Sequence, residues 1–122
     1  MKSNRRGVAA VEFALVLPCF LLLLLGVLEI GRAIHIQQTI VNASREGARL
    51  AATKAAESDV KSTVLDYLTK AKVPTSAVSV KQSRDRDAMT VEVDLPYSAV
   101  SWLPPTMLAG RTLSASSTFR RE

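Results

Sequence analysis

The stretch from Val8 to Leu28 constrains this chain more than any other feature: 21 residues, apolar apart from Glu12, with an unbroken leucine run from Leu21 to Leu25. The rest of the sequence is mixed in polarity and only 5% of all residues are aromatic, so a soluble fold of this size has too little apolar material to wrap the segment on every side. As a helix the stretch reaches about 31 Å, against about 30 Å for the hydrocarbon core of a bilayer. A single membrane-spanning helix over residues 8–30 is therefore expected, with Glu29 and Arg32 marking the return to water. Lys2, Arg5 and Arg6 crowd the start, whereas Arg32, Arg45 and Arg49 beyond the run are partly offset by Glu29 and Glu46. That asymmetry places the N-terminus in the cytoplasm.

A cleaved secretory signal also begins basic and turns apolar, but Glu29 and Arg32 occupy the place where small neutral residues should precede its cleavage point. Lipidation at Cys19 would require a small residue before it, and Pro18 stands there. The formal charge of +5, from 16 basic and 11 acidic residues, raises the question of a nucleic-acid partner. Location answers it: from Glu57 onward nine basic residues meet eight acidic ones, and no basic stripe is interleaved with aromatics. With one cysteine, Cys19, and one histidine, His35, the chain lacks the nitrogen and sulfur donors of a metal site. It also holds no Ser-His-Asp set and no glycine-rich phosphate loop, so neither a cofactor nor an enzymatic activity is expected.

Glu12 is the unusual residue, because a carboxylate near mid-bilayer costs about 2.5 to 3.5 kcal/mol, and less toward the interface. It either snorkels to the headgroups, pairs with Arg5 or Arg6, or serves a partner. Its spacing is informative. Arg5-Arg6-Gly7 followed by Val8-Ala9-Ala10-Val11-Glu12-Phe13 resembles a class III prepilin signal. The resemblance implies a leader over residues 1–7, with Lys2, Arg5 and Arg6 as its charges, cut after Gly7 by a membrane prepilin peptidase. It further implies that Glu12, the fifth residue of the mature chain, pairs with the new α-amine of Val8 on a neighbouring subunit, and Phe13 takes the aromatic position that often follows.

The longer pattern Val8 to Pro18, then Gly26-Val27-Leu28-Glu29-Ile30-Gly31-Arg32-Ala33, Gln37-Gln38 and Asn42-Ala43-Ser44-Arg45-Glu46-Gly47-Ala48-Arg49, resembles the TadE-like proteins, pseudopilins of the tight-adherence (Flp) pilus machinery. This implies a bacterial inner-membrane protein with its C-terminal part in the periplasm, partnered by a prepilin peptidase, other pilins or pseudopilins and the pilus assembly platform. The chain is longer than the major Flp pilins, which favours a minor or assembly role. The alternative is an uncleaved single-span anchor whose periplasmic domain binds an envelope partner.

Beyond the apolar run, Ile36, Ile40, Ala43, Gly47 and Leu50 recur four and three residues apart, which continues the helix over residues 31–56 with a seam suited to packing on its own domain. Within residues 57–122 a second helix is expected up to Lys72, capped by Ser58 or Asp59 and apolar along Val60, Val64, Leu65 and Leu68. The period then changes to two. Val78 and Val80 mark one strand, Met89, Val91, Val93 and Leu95 a second, and Leu113, Ala115, Ser117 and Phe119 a third. Arg84-Asp85-Arg86-Asp87 reads as a solvated turn lacking the ligand spacing of a calcium loop. Residues 97–110 read as a loop whose Trp102, with Leu103 and Met107, covers the sheet or stands exposed for a partner. The fold class is α+β and pilin-like: a long N-terminal transmembrane helix, a second short helix and a small three-stranded antiparallel sheet.

Overall fold

The computed structural model describes residues 3–102 and 110–121; Lys2 and the loop residues Leu103, Pro104, Pro105 and Met107 lie outside the described residues. The elements follow the expected α+β plan. Helix α1 spans Ser3–Ala52, helix α2 Glu57–Lys70, and strands β1 Ser79–Arg84, β2 Ala88–Pro96 and β3 Thr112–Arg120 form one antiparallel sheet in the order β1-β2-β3. The chain divides into two compact units, Met1–Arg32 and Ala33–Glu122.

In the first unit nearly every apolar side chain faces outward, Leu21 to Leu25 included. The helix is long and apolar enough to cross a membrane. Pro18 lies inside it and removes one backbone donor, which membrane helices tolerate through neighbouring groups. Glu29 departs from expectation: it is only 6% exposed rather than marking a return to water. A carboxylate that leaves solvent must be partnered, and Glu29 takes part in a polar interaction.

The second unit carries the core. Ile36, Ile40, Ala43, Gly47, Ala48 and Ala51 bury the inner face of α1's last third, where the expected seam packs against its own domain. Val60, Val64 and Leu68 come in from α2, and Val91, Val93 and Leu95 from the central strand. Thr39 and Ser44 are buried on that face as well. Their hydroxyls are satisfied locally, Thr39 donating to the His35 carbonyl at 3.0 Å and Ser44 to that of Val41 at 2.8 Å. Ser44 and Ser117 also share a hydrogen bond at 2.8 Å, which ties α1 to β3.

Helix α1 stops at Ala52, before the expected residue 56, and residues 53–56 separate it from α2. The Thr53 N–H and hydroxyl both donate to the Leu50 carbonyl, and the Lys54 N–H donates to that of Ala51, tightening the last turn before Lys54 turns left-handed at φ 65°. Alanine propensity is too weak to carry the helix past that closure. The N-cap of α2 is Ala56, which offers no side-chain acceptor; neither Ser58 nor Asp59 caps. Asp59 is drawn inside the first turn, where its charge suits the helix dipole. At the other end α2 stops at Lys70, not Lys72: Val73 donates to the Leu68 carbonyl at 2.9 Å and Lys72 to that of Thr69 at 3.0 Å, with Lys72 left-handed at φ 59°. This is a Schellman closure with a lysine where glycine is usual.

The sheet register pairs Val80 with Val93 and Val93 with Ala115, so one inward row crosses all three strands, buried at Val93 and Ala115 and half-buried at Val80. Val78 precedes β1 instead of opening it. The expected loop after β2 begins with a 3₁₀ turn over Tyr97–Ala99, whose Tyr97 is buried. Trp102 does not cover the sheet; it is 79% exposed.

Candidate functional site

The residues singled out by the sequence lie at the start of α1. Arg5, Arg6, Gly7, Val8, Glu12 and Phe13 are all helical and all exposed, Val8 at 57% and Phe13 at 66%. At about 100° per residue, Gly7 and Val11 share a face one turn apart, and so do Val8 and Glu12. Gly7, Val8, Val11 and Glu12 together line an open depression on the helix surface. Its floor exists because Gly7 has no side chain, and a Cβ built there would meet nothing within 4 Å. Phe13 stands about 100° around the helix from Glu12, beside this face.

Arg49 pairs with Glu46, Lys70 with Asp66 and Lys81 with Asp94. Glu12 enters none of these three pairs, and its expected pairing with Arg5 or Arg6 is not seen among the described residues. The carboxylate stands on an apolar helix surface, where only an interface, a cation or a hydrogen-bond donor from another molecule would stabilise its charge.

The Gly7–Val8 peptide bond is itself inside the helix. A protease cleft takes an extended backbone, so a cut at this bond requires the first turns of α1 to unwind. Gly7 lowers that barrier, since a helical glycine is about 1 kcal/mol less favourable than alanine. Were Val8 the first residue, its α-amine and the free N–H groups of the new first turn would lie one turn from the Glu12 carboxylate, a position in which negative charge is stabilised.

A second depression, lined by Ala51, Lys54, Ala55, Arg84, Met89 and Arg121, gathers three cations at the far end of the sheet. Lys54 and Arg84 are exposed there and Arg121 is half-buried. The Asp85–Asp87 turn is organised by its own backbone: Asp85 N–H donates to the Ala88 carbonyl at 2.9 Å, and the Arg86 N–H to the Asp85 carboxylate at 2.7 Å. No three His, Cys, Asp or Glu side chains converge among the described residues. His35 is an exposed residue on α1, and Cys19 is exposed and unpaired in the apolar run. In the last third of α1, Glu46 and Arg49 pair at 2.6 Å, which holds the Glu46 carboxyl below its usual range and raises Arg49.

Gln37 and Ser44 entered the sequence reading only as part of the family pattern and Ser117 only as a strand position; the bonds of Gln37 to the Ser114 carbonyl and of Ser44 to Ser117, which lock α1 to the sheet, were not anticipated. The available signal was polar residues standing inside an apolar seam.

The family model described as TadE-like protein matches residues 7–49, a span that opens at Gly7 and lies wholly within α1. This is the family that the sequence resembles. It is a structural, pilus-associated family not known for enzymatic activity. No curated protein and no solved structure matches the chain.

Proposed function

We propose, from the TadE-like match over residues 7–49, that this chain is a pseudopilin of a tight-adherence (Flp) pilus, held in the bacterial inner membrane by the apolar part of α1. Arg5 and Arg6, with Lys2, keep the first residues on the cytoplasmic face, and residues 33–122 fold in the periplasm. A prepilin peptidase unwinds the start of α1 at Gly7 and cuts between Gly7 and Val8, leaving the apolar helix attached. Glu12 then meets the Val8 amine of another pilin or pseudopilin within the membrane, an ion pair that relieves the carboxylate's desolvation on both subunits. The product acts in pilus assembly as a minor component, together with the inner-membrane platform. The observation that carries this reading is that the match begins at the glycine of the processing pattern and includes Glu12.

The test is the intact mass and N-terminal sequence of the membrane-extracted protein, produced with and without a cognate prepilin peptidase. A chain beginning at Val8 only when the peptidase is present is the expected result. An intact chain in both samples overturns processing and leaves an uncleaved anchor whose domain binds an envelope partner. Glu12→Ala is expected to permit membrane insertion and to abolish pilus assembly, scored by surface pili in a complemented strain.

A further inference from the structure

Within the unit Ala33–Glu122 the inward face of the sheet ends in charge. Its rows run Val80-Val93-Ala115, then Gln82-Val91-Ser117, then Arg84-Met89-Phe119, and directly opposed residues share a face. The Arg121 N–H donates to the Asp87 carbonyl at 2.7 Å, which carries the ladder one residue past β3, so alternation gives Arg121 that face too. Two arginines therefore stand where period two calls for apolar residues.

The connector after α1 adds a third cation. Lys54, Arg84 and Arg121 line one open depression of about 120 Å³, together with Ala51, Ala55 and Met89. Ala51 is buried, and Ala55 and Met89 are half-buried, so an apolar floor lies among the charges. No ion pair or side-chain hydrogen bond of these three cations is seen among the described residues, whereas Arg49, Lys70 and Lys81 of the same unit are each paired with an acid. The Asp85 carboxylate, close by in sequence, accepts from the Arg86 N–H instead. Nor are the cations needed at the end of α1, where the Leu50 and Ala51 carbonyls are taken by the N–H groups of Thr53 and Lys54. Like charges gathered without an acid repel one another in the folded state. Local rules broken in this way mark sites that serve a ligand.

We propose that this depression is an anion site that seats the carboxylate of an acidic side chain from a partner protein. Small-molecule pockets run to roughly 300 to 1,000 Å³, so the space here suits one functional group and not a metabolite. Guanidinium groups present forked donors to a carboxylate, and the floor of Ala51, Ala55 and Met89 matches the aliphatic stem of a glutamate, which inorganic phosphate lacks. The site lies in the folded unit and depends on neither processing at Gly7 nor the membrane span.

Met89 reports on the floor, because the chain has only three methionines. The full-length chain, labelled at its methionine methyl groups and held in non-ionic maltoside micelles, is titrated with N-acetylglutamate amide at constant ionic strength, and the Met89 signal is identified through Met89→Leu. A saturable shift of that signal in the millimolar range is expected, with none from N-acetylglutamine amide. Arg84→Gln and Arg121→Gln should each weaken binding about two- to fivefold. No saturable shift, or an equal one from the glutamine analogue, overturns the site. Tighter binding of inorganic phosphate overturns the carboxylate as its occupant. Thermal unfolding in the same micelles separates a structural role: Arg84→Gln is expected to raise Tm in low salt, with the gain vanishing in high salt, whereas a lowered Tm shows that Arg84 serves the fold and overturns the proposal.

Discussion

Gly47 occupies a point in α1 where a side chain has no room: a Cβ there would stand 2.6 Å from Val64 Cγ2 and 3.3 Å from Val91 Cγ1. Alanine would gain about 1 kcal/mol of helix propensity, but overpacking against two β-branched core residues costs about 1 to 3 kcal/mol. The clash wins. Gly47→Ala is expected to lower stability by about 1 kcal/mol, and Val64→Ala should recover part of that loss when the two are combined. Denaturant unfolding of the four variants in one detergent measures the coupling. Glu46 permits a second residue-level test, because Arg49 holds its carboxyl below the usual range. Its stabilising contribution is therefore complete above the pKa of an unfolded glutamate and is lost as pH falls through the lowered folded value. The stability gap between wild type and Glu46→Gln should close on acidification from pH 7 and shrink in high salt, since the pair is exposed to solvent.

At the scale of elements, the Lys72 closure of α2 carries a clear expectation. A lysine held at φ 59° bears a steric penalty that glycine escapes, while glycine gives up unfolded-state restriction of about 0.5 to 1 kcal/mol. Lys72→Gly should raise stability by about 0.5 kcal/mol, read from the same unfolding curves. Sequence periodicity exposed most of these elements: the step of four and three from Ile36 to Gly47 located the buried face of α1, and the alternation from Met89 to Leu95 located the central strand. What stayed hidden followed from groups that satisfy their partners across the fold or through the backbone. Ser44 and Thr39 looked too polar for a seam, yet their hydroxyls return to carbonyls three and four residues back. The end of α2 carried no glycine to announce it, and its start carried no side-chain cap. Gly7 and Glu12 were legible only as a spaced pattern, and helical geometry adds that Val8 and Glu12 share a face.

For the whole molecule, processing would change electrostatics more than shape. Loss of residues 1–7 takes away Lys2, Arg5 and Arg6 and no acid, so the formal charge falls from +5 by three to +2. Isoelectric focusing of the extracted protein should show the processed form displaced to lower pI, in step with the mass change.

Seven helix steps from Gln37 to Ser44 match three strand steps from Ser114 to Ser117, held by the Gln37 Nε2 bond to the Ser114 carbonyl and the Ser44–Ser117 hydroxyl bond, both 2.8 Å, and this match limits how relatives of this chain can vary in length. One residue inserted between Gln37 and Ser44 would turn the helix by about 100°, swinging the following core positions out of reach of α2 and detaching Ser44 from Ser117. Such an insertion could be absorbed only by a concerted change of whole turns in the helix and of even steps in the strand. Evolutionary gain and loss of residues should therefore collect in the connections around residues 53–56, 71–78 and 97–111, while the interval from Gln37 to Ala51 keeps a constant count.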